Sequence, residues 1–416
     1  MNDDRRTVLF ACDYWHPKES PNVICLERLL PLVNNEYKAL FVTADGLDAP
    51  LSGPNCISIP DLGIATILKE TKGHPVKRAL IKIGYKLVVA RNLFRYPIRS
   101  GRMVEDFKQA MDSFLSQGNI DAVIAICFPG ESVEACLKLK KLYPTVHFFI
   151  YFLDEVAVGM YEKGIFVRGI SSKAAARFEK KVIKSLDGAI FLSSARDLVE
   201  QNHGRNNPKI RFADVPLLTA EKPTYRFNGG EDSPLDVLYT GSLFEPDRDP
   251  RTFLEAMRPL MDDGSVRFLF AGNTSGLLDF AINEGLPVRD LGFLSSDVCS
   301  EAVKSADVLL SIGNKDPNLV PSKLFQYLNA AKPIIHLKRG RGDACLPYLE
   351  KYPLALVVEE GESRLDERVQ RFLQGLSARD GTEIPLKGLY PKAFPEYTIA
   401  ALKNLEKLAS QKERQE

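Results

Sequence analysis

Three side chains near position 325 have the types and the spacing of an anion-binding site. Ser322 and Lys323 precede Gln326 by four and three residues, so all three share one face of a helix. Pro321 suits the first helical position, because its φ angle is fixed and its missing N–H is not needed there. The free N–H groups and the positive dipole at that helix end attract anions. A hydroxyl, a cation and an amide in this place suit a diphosphate with a sugar attached. The alternative is an ordinary surface helix with a solvated lysine.

The run from Pro321 to Ile334, PSKLFQYLNAAKPI, resembles the donor-binding signature of GT-B glycosyltransferases, specifically the large retaining group called family 4. Pro-x-Lys-[Leu/Val]-x-Glu-Tyr-Leu-Ala-x-Gly-Lys-Pro is typical of that group. The family usually carries two glutamates, and their positions are Asn318 and Gln326 here. An amide still hydrogen-bonds ribose or sugar hydroxyls. An amide places no negative charge beside a developing oxocarbenium ion. The replacement of the two glutamates by amides therefore affects the expected reaction rate and the identity of the donor sugar more than the fold.

Three further segments of the second half fit the resemblance, through a basic loop and three glycines. The loop after the strand-like run 236–241 usually holds the donor's diphosphate, and Arg248 is the nearest basic match. A guanidinium binds phosphate oxygens bidentately. Gly241 matches the first residue of the family's Gly-Arg pair, whereas Gly272 and Gly292 each follow a hydrophobic run. Gly292 belongs to the segment that lies beside the nucleotide base in relatives. A residue without Cβ at this position would let the backbone come close to the base. The alternatives are a solvated loop charge and plain strand-end turns.

On the acceptor side, the resemblance implies roles for residues that follow two strands of the first half. His16 and Trp15 come after the first strand, where the family has a loop under the reaction centre. Asp154 and Glu155 end a hydrophobic strand, and the family's usual histidine falls at Leu153. Asp154 is therefore the first candidate for engaging the acceptor hydroxyl, because a carboxylate facing a cleft can act as a base. The alternative is a solvated acid at a strand end.

Other kinds of chemistry have no matching motif. The five histidines form no H-E-x-x-H, and neither G-x-S-x-G nor a phosphate-binding G-x-x-x-x-G-K-[ST] occurs. No metal-ligand spacing is present either, and GT-B enzymes generally need no catalytic metal. The sequence therefore predicts no metal and no cofactor other than the nucleotide-sugar substrate.

A basic segment from 69 to 102 suggests contact with a membrane surface. It holds ten Lys or Arg residues against one acid, Glu70. One helical face of it is apolar and contains Val76, Leu80, Ile83, Leu87, Ala90 and Phe94. A basic amphipathic helix can lie on an anionic bilayer, where each basic residue adds about 1 kcal/mol. The alternative is an ordinary domain helix with its basic face in water.

The composition is that of a globular protein with more than one core. At 416 residues two domains are the default, and the net charge of +1 gives no argument for a nucleic-acid partner. Seven scattered cysteines, with no C-x-x-C, indicate reduced thiols. The start of the chain is not typical of a signal peptide, and no apolar run is long enough to span a membrane. We therefore expect a cytoplasmic protein.

Strand-like apolar runs alternate with helix-like periods in both halves, which indicates α/β units with doubly wound parallel sheets. The runs are 7–12, 38–43, 121–127, 146–153, 188–193, 236–241, 266–272, 287–291, 307–312, 333–337 and 354–358. A breaker-rich segment, 216–234, separates an acceptor-side domain (1–215) from a donor domain (235–393). The GT-B plan implies two Rossmann-like domains facing across a cleft. It also implies that the final helix, 394–416, crosses back to the first domain.

The resemblance implies transfer of a sugar from a nucleotide-diphosphate donor to a sugar or a lipid-linked acceptor, with retention of configuration. Lys323 and Arg248 would stabilise the departing diphosphate electrostatically. The implied setting is bacterial surface-polysaccharide assembly, by analogy of fold. Two alternatives remain: a GT-B nucleotide-sugar epimerase, and a non-catalytic nucleotide-sugar-binding subunit of a glycosylation complex.

Overall fold

The structure, a computed structural model, describes residues 5–12, 21–44, 55–59, 74–98, 100–127, 130–153, 165–229, 233–245, 248–314, 319–340 and 342–413. The chain divides into two compact units. The first unit comprises Met1–Pro216 together with Pro395–Glu416, and the second comprises Leu217–Phe394. Within the described ranges, no helix is long and apolar enough to cross a membrane.

The first unit is built on a parallel sheet, to which its described residues contribute seven strands in the order β3-β2-β1-β4-β5-β6-β7. The strands are β1 (Arg6–Ala11), β2 (Tyr37–Thr43), β3 (Cys56–Ser58), β4 (Ala122–Cys127), β5 (His147–Phe152), β6 (Gly188–Leu192) and β7 (Ile210–Ala213). Every residue of β4, β5 and β6 is buried. Continuous apolar strands of this kind belong to parallel sheets that are covered on both faces.

Helices cover this sheet with amphipathic faces. They are α1 (Pro21–Glu36), α2 (Pro75–Asn92), α3 (Gly101–Leu115), α4 (Gly130–Leu139), α5 (Ile165–Ser185), α6 (Arg196–His203) and the C-terminal α15 (Pro395–Glu413). Ser100 caps α3 by accepting the Met103 N–H at 3.2 Å, and the buried stripe of α3 includes Val104, Phe107, Met111 and Phe114. Although α15 follows the second unit in sequence, it packs within the first unit, where Lys403 pairs with Glu36 of α1.

The second unit repeats the same plan, with six described strands in the parallel order β10-β9-β8-β11-β12-β13. The strands are β8 (Leu235–Thr240), β9 (Val266–Ala271), β10 (Val288–Gly292), β11 (Val308–Ile312), β12 (Ile334–Lys338) and β13 (Ala355–Glu359). Its helices are α7 (Arg251–Ala256), α8 (Arg258–Asp262), α9 (Asp279–Asn283), α10 (Ser296–Ser305), α11 (Ser322–Asn329), α12 (Leu346–Leu349), α13 (Leu365–Gln374) and α14 (Leu386–Leu389).

Both sheets have the doubly wound strand order, and the predicted α/β class is confirmed. In the second sheet the order reverses between β8 and β11. Ligands of open α/β sheets bind outside the carboxyl ends of the strands at such a reversal. Gly241 follows β8 and Gly313 follows β11, so these two turns mark the expected position of a site. Two short strands, β3 and β7, were not predicted, because neither forms a continuous apolar run.

Candidate functional site

Helix α11 presents the three residues of the predicted anion site. It begins at Ser322, with Pro321 as its N-cap at φ −60° and ψ 129°, one residue later than the sequence suggests. Ser322, Lys323 and Gln326 are all half-buried. The opposite face buries Leu324, Phe325, Tyr327 and Leu328. The first turn of α11 therefore leaves its polar face partly open to a ligand.

A buried tyrosine ties α11 to the end of β8. The Tyr327 hydroxyl accepts the Thr240 N–H at 2.8 Å and lies 3.0 Å from the Thr240 hydroxyl. Burial raises the pKa of Tyr327, so this phenol stays protonated. Thr240 is the last residue of β8, directly before Gly241. The tyrosine of the signature thus has a structural role here, since it fixes the helix that carries Lys323 against the strand reversal.

Lys323 is an available cation. Its side chain is half-buried, and within the described ranges no hydrogen bond or ion pair engages its Nζ. The first turn of α11 also contains no acidic residue. A lysine at a helix N-terminus without a local carboxylate is suited to an anionic ligand.

Arg248 is held in a defined position by Asn314. Its Nε and Nη2 donate to Asn314 Oδ1 at 3.3 and 3.1 Å, and the buried Asn314 donates from Nδ2 to the Leu319 carbonyl at 3.0 Å. The backbone of Arg248 also pairs with Phe244 in both directions. Because Leu319 lies just before Pro321, this chain of contacts joins the β8 loop to the entrance of α11. The guanidinium keeps further N–H donors for phosphate oxygens.

Arg251 is occupied by acidic neighbours in the same loop. Its Nε and Nη2 donate to Asp249 at 3.0 and 2.6 Å, and its guanidinium also pairs with Glu245. The hydrogen bond with Asp249 raises the pKa of the Arg251 guanidinium. Arg248 is therefore the better candidate of the two for a phosphate contact.

The three predicted glycines lie side by side at the carboxyl ends of β8, β9 and β10. Gly241 donates to the Ala271 carbonyl at 2.8 Å, and Gly272 donates to the Gly292 carbonyl at 2.7 Å. A Cβ at Gly272 would lie 2.1 Å from the Gly241 carbonyl oxygen, and the Gly272 φ of 133° also excludes most side chains. Glycine is therefore required at position 272 because two backbone segments approach closely there. Space for a ligand is the lesser reason.

A buried polar network under this edge was not predicted. Ser311 of β11 and His336 of β12 are register partners, and the Ser311 hydroxyl lies 2.9 Å from His336 Nδ1. His336 Nε2 lies 3.0 Å from Asp343 Oδ2. The residues are 25 and 7 positions apart in sequence, so no local spacing identifies them. The available signal was one polar residue inside each of two continuous apolar strands.

Several predicted site residues lie outside the described residues. These are His16, Trp15, Asp154 and Glu155 on the acceptor side, and Asn318 on the donor side. Their roles stay predictions. Of the other predicted residues, the structure places Gly241, Arg248, Gly272, Gly292, Ser322, Lys323 and Gln326 at the carboxyl edge of the second sheet or on the helix that contacts it.

No family model matches the sequence, and no curated protein matches it. Solved structures match the fold over nearly the whole chain. The apo lipopolysaccharide outer core galactosyltransferase WaaB is 14% identical, with a TM-score of 0.59, and the match covers 96% of this chain and 98% of WaaB. The E. coli trehalose-6-phosphate structure bound with UDP-2-fluoro glucose is 10% identical, with a TM-score of 0.59 and coverage of 96% and 99%.

A UDP-GlcNAc 2-epimerase from Methanocaldococcus jannaschii also shares the fold. It is 8% identical, with a TM-score of 0.55, and the match covers 95% of this chain and 99% of that one. Identities this low show the fold alone. The chain has the GT-B fold, as predicted.

Proposed function

We propose that this chain is a glycosyltransferase that uses a nucleotide-diphosphate sugar as its donor. The observation that carries the proposal is the placement of Lys323 and Arg248. Both cations belong to segments joined at the strand reversal of the second sheet, where α/β folds bind ligands. Two cations and a helix N-terminus at one edge suit the two phosphates of a leaving nucleoside diphosphate.

The proposed mechanism is electrostatic. As the bond between the sugar and the diphosphate breaks, negative charge grows on the diphosphate, and Lys323 and Arg248 stabilise it. Ser322, Gln326 and Asn318 hold ribose or sugar hydroxyls, while Asp154 and His16 face the acceptor. The products retain the anomeric configuration, and no metal takes part. Because amides stand at 318 and 326, we expect a slower reaction than glutamates would give.

The test is donor turnover with and without an acceptor. UDP-, GDP- and ADP-linked sugars are incubated with the protein and a bacterial lipid-linked sugar extract, and released nucleoside diphosphate is measured. We expect release from one donor, increased by the extract, unchanged by EDTA and lost in Lys323→Ala. Lys304→Ala, which removes an exposed lysine of the same unit, is the matched control. Release from no donor contradicts the proposal.

Epimerase activity is the second candidate, favoured by the shared fold of the archaeal epimerase. It would convert the sugar of a nucleotide donor in the absence of any acceptor. NMR of the sugar before and after incubation separates the two, since transfer changes the aglycone and epimerisation changes a ring carbon. Binding without either reaction would favour a non-catalytic nucleotide-sugar-binding subunit.

We also propose that α2 places the protein on an anionic membrane at the cytoplasmic face, where a lipid-linked acceptor of surface-polysaccharide assembly would lie. Val76, Leu80 and Ile83 follow a helical spacing and are 72, 64 and 56% exposed. The exposed Lys77 stands beside this stripe. An apolar stripe in water next to basic residues is typical of helices that lie in the bilayer interface.

Vesicle sedimentation tests the membrane proposal. We expect greater recovery on anionic than on neutral vesicles, and loss of that recovery in Leu80→Glu. Leu142→Glu, at another exposed leucine of the first unit, is the control and should sediment like the wild type. Equal recovery on both kinds of vesicle contradicts the proposal.

A further inference from the structure

The buried network beneath the candidate donor site contains one carboxylate with an unusually complete set of contacts. We infer that Asp343 is a positioning residue of the donor site, which fixes Arg248 through the loops on either side of it. The inference rests on the proposed function for its ligand. The claim that Asp343 holds three loops together is independent of that function.

The Asp343 carboxylate has three buried hydrogen-bond partners. Oδ2 lies 3.0 Å from His336 Nε2 and accepts the Arg339 N–H at 3.1 Å, while Oδ1 accepts the Cys345 N–H at 2.9 Å. The Asp343 side chain is only 1% exposed. A buried carboxylate is stable only when hydrogen bonds replace its water. Contacts from β12 and from two loop amides therefore fix the position of this group.

One route from Asp343 to Arg248 passes through Gly313. A Cβ built on Gly313 would lie 1.8 Å from Asp343 Oδ2, so the turn after β11 rests directly on the carboxylate. Asn314 is the next residue, and its Oδ1 receives both hydrogen bonds from the Arg248 guanidinium. A shift of the carboxylate thus moves the acceptor to which Arg248 is bound.

A second route passes through Arg339. Asp343 holds the Arg339 backbone, and the Arg339 side chain donates to the carbonyl of Asp249, the residue after Arg248. The same guanidinium pairs with Glu360 beyond β13. Arg248 is therefore held through its own side chain and through the carbonyl of the next residue, Asp249, by two loops that both depend on Asp343.

A metal ion is the competing occupant of this cluster. The ligand atoms of His336, Asp343 and Cys345 lie within 4.8 Å of one another. However, the separation of 3.0 Å between Nε2 and Oδ2 is that of a hydrogen bond, and both carboxylate oxygens already accept backbone N–H groups. Three donors already engage the two oxygens, so hydrogen bonds explain the cluster better than a bound metal ion does.

The first unit offers a matched control with the same chemistry. Glu179 of α5 and His203 of α6 form a buried pair, with Oε1 and Nε2 2.7 Å apart and both side chains 5% exposed. This pair joins two helices of the other unit. Asp343→Asn and Glu179→Gln each replace a buried carboxylate by an amide of the same shape. In Asp343→Asn, the new amide NH2 faces either the Arg339 N–H or the Cys345 N–H. Because both facing groups are then hydrogen-bond donors, they repel each other.

Two readouts test the inference. The first is the dissociation constant for the nucleoside diphosphate that the wild type prefers, with inorganic pyrophosphate as a base-free probe. We expect about tenfold weaker binding of both ligands in Asp343→Asn, equivalent to about one hydrogen bond to a charged group. Glu179→Gln should bind like the wild type. Equal binding by Asp343→Asn and the wild type overturns the inference.

The second readout needs no ligand. The Arg248 N–H donates to the Phe244 carbonyl at 2.8 Å, so its hydrogen exchange reports the order of the loop. We expect exchange at Arg248 to become at least several-fold faster in Asp343→Asn and not in Glu179→Gln. If the wild type binds neither ligand, the proposed function fails, and this exchange measurement alone decides the positioning role. Unchanged exchange overturns it.

If Asp343→Asn does not accumulate as folded protein, Gly313→Ala serves instead, because its Cβ displaces the same carboxylate while the carboxylate itself is kept, and the same losses are expected. Stoichiometric zinc in the purified wild type, lost in Cys345→Ser, would overturn the hydrogen-bonded account in favour of a metal site.

Discussion

Two buried carboxylates, one in each unit, have pKa values that are shifted in opposite directions. The side chains of Asp343 and Glu406 are only 1% and 4% exposed. Burial opposes ionisation of both. At Asp343 the hydrogen bonds from His336 and from the backbone outweigh burial, and the pKa lies below its usual value. At Glu406 burial prevails and raises the pKa.

The two pKa shifts differ in direction because the two carboxylates have different numbers of hydrogen-bond donors. Three N–H groups converge on the two oxygens of Asp343. Glu406 Oε2 accepts from Tyr37 and Arg6, each at 3.2 Å, but its Oε1 has no hydrogen-bond partner among the residues that the structure describes. Depth of burial therefore does not decide the direction in which the pKa of these two carboxyls is shifted. The hydrogen-bond donors around each group do, and the set at Asp343, beneath the candidate site, is more complete than the set at Glu406.

The largest expected effect is on stability at neutral pH. Asp343→Asn should lower the free energy of unfolding of the second unit by about 3 kcal/mol, since it leaves buried donors unpaired. Glu406→Gln should raise that of the first unit by about 1 kcal/mol, because the amide is not penalised as a buried charge. Urea unfolding, with hydrogen exchange to assign each transition to a unit, measures both. Changes of the same sign would contradict the comparison.

The pH dependence should differ in sign between the two groups. The pKa of Asp343 is lower in the folded state, so its contribution is present above the unfolded value of about 3.8 and is lost as the pH falls through the folded pKa. The pKa of Glu406 is higher in the folded state, so its contribution is present below about 4.5 and is lost as the pH rises. Asp343→Asn should flatten the loss of stability at acid pH for the second unit, and Glu406→Gln should flatten the loss of stability above pH 4.5 for the first. Unfolding measured from pH 3 to 8 checks this.

The smallest effect should come from an exposed pair with many hydrogen bonds. Arg251 makes several contacts with Asp249, yet both side chains are partly in water. Arg251→Ala should leave the free energy of unfolding of the second unit unchanged within the precision of urea unfolding, because exposed ion pairs contribute little. Nucleoside diphosphate affinity should stay unchanged. A large loss of either quantity would mean that Arg251 shares the role assigned to Arg248.

The sequence predicted the parts of this molecule that depend on local pattern. Continuous apolar runs identified the inner strands, because a parallel strand buried on both faces needs no polar residue. The short edge strands β3 and β7 lack such runs and were missed. Helix α11 was predicted because its signal lies in consecutive residues, and Arg248 was chosen as a candidate because it lies in the loop that follows β8.

The network around Asp343 could not be predicted in the same way. Ser311 meets His336 only through the register of β11 and β12, and Gly313 meets Asp343 only after both loops have folded. Such contacts depend on tertiary structure, so no spacing rule reveals them. The requirement for glycine at position 272 has the same origin, in the carbonyl of Gly241.

The most direct test of the donor site is thermal stabilisation by UDP, GDP, ADP and CMP, compared between the wild type and Lys323→Ala. A ligand that binds only the folded state stabilises it by RT ln(1 + [L]/Kd), about 2.7 kcal/mol at one hundred times Kd. We expect one nucleotide to raise the melting temperature of the wild type clearly at millimolar concentration, and the shift to disappear in Lys323→Ala. No shift with any nucleotide, or an equal shift in the variant, would contradict a donor site at the start of α11.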